Sequence, residues 1–72
     1  GAEKPLHEML SDREYRVMWL LASGKQIKRI ARELSLSPST VSTYRTRILK
    51  KVRVTSNAEL VHYAIRHKLI DE

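Results

Sequence analysis

The chain is predicted to be all-α, a four-helix bundle containing a helix-turn-helix. Three observations predict it. Apolar residues recur at three- and four-residue spacing in four separate stretches, and no stretch alternates with period two for long enough to make a strand. Serines stand where helix N-caps are needed, at Ser11, Ser37 and Ser56. Only three or four residues separate the second and third helical stretches, a length that points to a sharp crossing of the two helices.

Residues 1–10, "GAEKPLHEML", read as a linker, with Gly1-Ala2 as a cloning remnant, and residues 11–72 as the folded domain. The first helix opens on Ser11-Asp12-Arg13-Glu14, a capping box in which hydroxyl and carboxylate satisfy each other's free backbone N–H groups. It runs to about Ser23, with Val17, Met18, Leu20 and Leu21 on one face. Gly24 ends it in the left-handed conformation. The second helix spans about Ile27 to Leu34, with Ile27, Ile30, Ala31 and Leu34 inward and Lys28, Arg29 and Arg32 outward. Its start is weak, because Gln26 is a poor cap. Ser37 caps the third helix and Pro38 takes its first position, where a missing N–H does no harm; the helix continues to about Val52. Ser56-Asn57-Ala58-Glu59 reads as a second capping box, opening a fourth helix to about His67.

Seventy-two residues make one small domain, and 42% apolar content is enough to fold it rather than leave it disordered. Without Cys, a disulfide framework and a thiolate zinc site are both excluded. The longest apolar run, Val17 to Ala22, is far too short to span a membrane. No signal peptide is recognisable, so a cytoplasmic setting is expected. Charge says more. The net charge is +6 and the pI about 10.1. Between Gly24 and Ala58 stand nine basic residues and one acid, Glu33, whereas the rest of the chain is slightly acidic. Cations gathered in half of a small domain are the footprint of a polyanion-binding face.

The third helix says which polyanion. Val41, Tyr44, Ile48 and Val52 form its apolar side, with Leu49 beside them; the opposite side carries Ser39, Ser42, Thr43, Thr46, Arg47 and Lys50, and no acid. Thr and Ser are mediocre helix formers, so several on an exposed helix face call for a reason other than stability. A major groove about 12 Å wide admits a helix with short side chains, whose hydroxyls and methyls meet base edges while Arg and Lys reach phosphates. Across the turn, Ala31 is the small residue two crossed helices need, and Ile30, Leu34, Leu36 and Val41 are its apolar anchors.

These stretches resemble the LuxR-type (NarL/FixJ) DNA-binding domain at the C-terminus of many bacterial response regulators. The resemblance covers about Leu10 to Ile70, through "LSDREYRVMWLLASGK", "IKRIARELSLSPSTVSTYRTRILKKV" and "NAELVHYAIRHKLI". It implies that the third helix, 38–52, lies in the major groove. By the resemblance, base contacts fall to Ser42, Thr43 and Thr46, and phosphate contacts to Lys28, Thr40, Arg47, Lys50 and Lys51. The fourth helix would mediate homodimerisation, and a receiver or sensor domain would precede this one. Five positions depart from the family pattern: Ser42 stands where lysine is frequent, Gln26 and Arg29 replace the usual Ser cap and Glu, Arg53 replaces glycine, and Tyr44 replaces His.

Other residues carry separate expectations. Tyr15 and Trp19 point away from the first helix's core face and form a candidate patch for another domain or for RNA polymerase. Leu60 and Ala64 face the core, leaving Val61 and Ile65 for a two-fold interface. Arg45 faces the buried side of its helix and is expected to pack its stem and send its head to water or the duplex backbone. His62 and His67 are five apart, which does not put them on one helical face, so no metal site is expected. Nothing suggests a cofactor, a nucleophile–base pair, a phosphate-cradling glycine loop or paired catalytic carboxylates. Two other readings stay open: a promoter-reading region like that of a sigma factor, and a basic helical module that binds acidic protein or RNA.

Overall fold

The computed structural model describes residues 4–71; Gly1 and Ala2, read as a remnant, lie outside the described residues. Four α-helices follow a short 3-10 turn at Leu6–Met9: α1 (Asp12–Ala22), α2 (Ile27–Leu34), α3 (Pro38–Lys51) and α4 (Asn57–Arg66). Three of the four starts carry a side-chain cap. The Ser11 hydroxyl accepts from the Glu14 N–H at 3.1 Å and the Glu14 carboxylate accepts from the Ser11 N–H at 2.8 Å, the full reciprocal box. Gln26 caps α2 with no side-chain bond, as its chemistry predicts. Ser37 accepts from the Thr40 N–H at 3.1 Å.

The second capping box forms only by half. Ser56 accepts from the Glu59 N–H at 3.2 Å, but the Glu59 carboxylate reaches one residue further back, to the backbone N–H (2.9 Å) and hydroxyl of Thr55. The hydroxyl and then the backbone N–H of Thr55, both bonded to the Glu59 carboxylate, hold its carboxyl below the ordinary value.

All four helices end in the same way, although only one of the four ends has a glycine. Gly24, Ser35, Arg53 and Lys68 sit at φ +92°, +57°, +60° and +58°. In each case the next residue's N–H closes on the carbonyl five residues earlier: Lys25 on Leu20, Leu36 on Ala31, Val54 on Leu49 and Leu69 on Ala64, at 2.8–3.1 Å. This is the Schellman closure, and the closing residues Leu36, Val54 and Leu69 pack against the core, as the motif requires. Left-handed backbone at a residue with a Cβ costs about 1 kcal/mol. Arg53→Gly is therefore expected to raise stability by up to about 1 kcal/mol, offset in part by glycine's larger unfolded-state entropy. A urea denaturation midpoint that falls instead would mean that the Arg53 side chain contributes more than its backbone strain removes.

α1 is the hub: it packs against α2, α3 and α4, while α2 packs on α3 and the 3-10 turn on α3. Val17, Met18, Ile30, Val41, Ile48 and Leu60 are fully shielded at their meeting point. Ala31, 3% exposed, lets α2 approach α3 closely. The segment expected as linker contributes too. Leu6 and Leu10 pack against the core, and His7 binds the buried Tyr63 through its backbone N–H (2.9 Å) and its Nδ1 (3.0 Å) to the phenolic oxygen.

Candidate nucleic-acid interface

α2, the turn Ser35–Ser37 and α3 form the helix-turn-helix. The turn is tight because Ser35 adopts the left-handed conformation and Leu36 folds back onto the core. α3 divides as its periodicity predicts. Val41, Ile48 and Val52 are buried, Tyr44 and Leu49 partly so, while Ser39, Thr40, Ser42, Thr43, Thr46, Arg47 and Lys50 are exposed. Ser39, Thr43, Thr46 and Lys50, at steps of four, three and four, run along the crest of the helix; Ser42 lies on one flank, and Thr40 and Arg47 on the other. The three proposed base-reading side chains therefore share one exposed surface.

Hydroxyl bonding on this surface is local. Thr40 and Ser39 bond the Ser37 hydroxyl at 2.8 and 3.1 Å. Thr43 donates its hydroxyl proton to the Ser39 carbonyl and Thr46 donates to the Ser42 carbonyl, both at 3.1 Å.

Cations near α3 are not equivalent. Glu33 engages Lys25 at 2.8 Å and Arg29 at 3.5 Å; the Lys25 bond, ahead of Arg29, holds the Glu33 carboxyl below its ordinary value. Arg45 donates its Nε–H to the Asn57 side-chain oxygen at 2.8 Å, an exposed bond that ties α3 to the first turn of α4. Lys51, expected to hold a phosphate, binds the Glu14 carboxylate at 2.7 Å. Glu14 is only 4% exposed. Without Lys51 this shielded carboxylate would keep only the Ser11 N–H as a hydrogen-bond donor. The Lys51 hydrogen bond, then that from the Ser11 N–H, holds its carboxyl below the ordinary value against the opposing effect of burial. Lys51 is thus paired with an acid, while Lys28, Arg47 and Lys50 stand exposed with no acid partner among the described residues.

The remaining predicted positions lie on α1 and α4. Val61 and Ile65 are half-buried and line a shallow groove with Trp19, Ala22, Leu69 and Ile70. Trp19 is 43% exposed and Tyr15 36%, and both also border a second depression over Arg16 and Leu20. The tryptophan thus forms a ridge between the two. The histidines group differently from their spacing in the chain: His7 stacks edge-on to His67 with ring centroids 5.4 Å apart, and Tyr63 lies 4.2 Å from His67. Tyr63 carried no signal in the sequence, because its partner is 56 positions away.

Comparison with known proteins places this geometry. The family model described as bacterial regulatory proteins, luxR family, matches residues 8–64. A response regulator of Escherichia coli, UvrY, is 42% identical over 60 residues, which are 83% of this chain and 28% of that protein. A putative transcriptional regulator of Pseudomonas aeruginosa is 48% identical over 68 residues, 94% of this chain and 33% of the relative. Full-length FixJ of B. japonicum superposes with a TM-score of 0.83 at 38% identity, over 92% of this chain and 32% of that one. The chain thus spans about a third or less of the length of these relatives.

Proposed function

The chain belongs to the LuxR family of bacterial regulatory proteins, and from that premise we propose that it binds double-stranded DNA in a sequence-specific way, as the effector domain of a two-component-type transcription regulator. α3 enters the major groove. Ser42, Thr43 and Thr46 meet base edges, while Lys28, Thr40, Arg47 and Lys50 hold phosphates. The observation that carries this reading is the acid-free exposed face of α3, a crest of short side chains flanked by cations without partners. Lys51 is reassigned from phosphate contact to support of α3. The domain acts by binding and not by catalysis, in the cytoplasm where bacterial DNA lies. In the intact regulator a receiver or sensor domain governs it.

Selection of bound duplexes from a random pool tests the reading: one motif should be enriched, and its two-fold symmetry would report the stoichiometry. Failure to enrich any duplex over the pool would remove the proposal. Preference for single-stranded RNA or an acidic protein would favour the interaction module, and tight binding to core RNA polymerase without DNA would favour the sigma-like reading.

Homodimerisation is assigned to α4. Val61 and Ile65 present apolar surface beside the Trp19 ridge, and a two-fold contact there sets two α3 helices about one DNA turn apart. Ile65→Glu is expected to weaken binding to a two-half-site duplex at least tenfold, while leaving binding to a single half-site unchanged. A monomer both free and on DNA, in analytical ultracentrifugation of the parent chain, would count against the interface. Tyr15 and Trp19 are assigned to a neighbouring domain or the polymerase. Trp19→Ala should lower transcription activation more than DNA affinity.

A further inference from the structure

The hydroxyl protons of Thr43 and Thr46 are already committed. Each is donated to the backbone carbonyl four residues earlier on α3, at 3.1 Å. Oxygen and methyl ride on the same Cβ, so fixing the oxygen back along the helix fixes the methyl in another staggered position. Both residues are exposed on the crest. The face offered outward is therefore a methyl group and oxygen lone pairs, with no free donor.

This decides which base edges such a face suits. Guanine shows only acceptors in the major groove, at N7 and O6, and a spent hydroxyl has nothing to give them. Adenine and cytosine both show an amino donor that a lone pair matches, at N6 and N4, but only thymine shows a C5-methyl to meet the threonine methyl, so the methyl contact is what selects an A·T pair. Ser42 differs from its neighbours. It has no methyl, and its hydroxyl makes no hydrogen bond among the described residues, so it remains free to donate or accept.

Resting on α3 as the groove helix, we propose that Thr43 and Thr46 read DNA through their methyl groups and oxygen lone pairs rather than their hydroxyl protons. The base pairs opposite them are then A·T pairs with the thymine methyl in contact. Breaking the backbone bond to free a proton would forfeit a bond already made, which biases the choice against guanine without any clash.

The test begins with the duplex enriched from a random pool, resynthesised with deoxyuridine replacing one thymine at a time; this removes the methyl and keeps the pairing. Uridine at the thymines opposite Thr43 and Thr46 is expected to weaken binding about fourfold each, the worth of one buried methyl. Thr43→Val and Thr46→Val, which keep the methyl, should retain the preference and the uridine penalty. Thr43→Ser and Thr46→Ser, which keep the hydroxyl, should lose the penalty. The inference is overturned if no uridine weakens binding, if the valine variants lose the preference that the serine variants keep, or if guanine is selected opposite both residues. Those outcomes leave duplex binding intact and so differ from failure of the parent reading, in which no duplex is enriched and this inference falls with it.

Discussion

Replacing Glu14 with alanine is expected to lower the free energy of unfolding by about 2 kcal/mol, less than for breaking a fully buried pair, because the Lys51 side chain left behind is 42% exposed and can rehydrate. The carboxylate serves two sites at once. It closes the capping box at the start of α1 and it grips Lys51 at the end of α3, 37 positions away. Loss of the cap accounts for about 1 kcal/mol and loss of the ion pair for most of the rest. A domain of this size has roughly 4–11 kcal/mol in all, so the change is visible in a urea denaturation midpoint. Glu14→Gln, which keeps the shape and can still accept from Ser11, should fall between. An unchanged midpoint for the alanine variant would show that the pair does not hold α3.

The same carboxylate sets an acid limit. Its folded value is depressed, so the unfolded chain takes up a proton at a higher pH than the folded one does. The stabilisation is thus fully present above the ordinary glutamate value of about 4.5 and drains away as pH falls below it through the folded value. Glu14→Gln should flatten this part of the stability–pH curve. Glu33 and Glu59, depressed in the same direction but at the surface, contribute a smaller remainder that the variant retains.

Raising salt from about 50 to 200 mM is expected to weaken duplex binding by about 40-fold per monomer, the second large effect. If Lys28, Arg47 and Lys50 each neutralise one phosphate, the slope of log K against log salt is about −2.7 per monomer. Five phosphate contacts, as the sequence by itself suggests, would bring it to −4 to −5. Release of Lys51 from Glu14 to a phosphate would by itself move the slope by about 0.9, to about −3.6, so the slope reads whether the pair stays closed. Lys50→Ala should reduce the slope by about 0.9 and weaken all duplexes alike. Thr43→Ala and Thr46→Ala should leave the slope untouched and remove roughly 1–3 kcal/mol of discrimination. Titrations of the three variants against selected and scrambled duplexes check this. Equal behaviour of Lys50→Ala and Thr43→Ala would abolish the division between phosphate grip and base reading.

Most of the fold, and the shape of the candidate site, could be read before any coordinates. Helix limits came within about a residue because their causes are local. Ser11 and Ser37 cap through bonds three residues long, Gly24 stops α1, and the inward faces repeat every three to four residues. The composition of the α3 crest was legible for the same reason, since helical spacing alone puts Ser39, Thr43, Thr46 and Lys50 in line.

What the chain could not declare along its own length is how competing partners share a side chain. Helical spacing puts Lys50 on the crest and Lys51 about 100° round from it, but only the packing of α1 against α3 shows that Glu14 waits there for Lys51. Nor does spacing reveal that Tyr63 holds His7, or that Ser35 and Lys68 turn left-handed; at Arg53 the family resemblance, with its usual glycine, pointed to that turn. Periodicity sets which face of a helix is apolar, because burial follows the short-range geometry of the backbone. Ion pairing and docked ends follow from distances through space between residues far apart in the chain, and tertiary structure alone decides those.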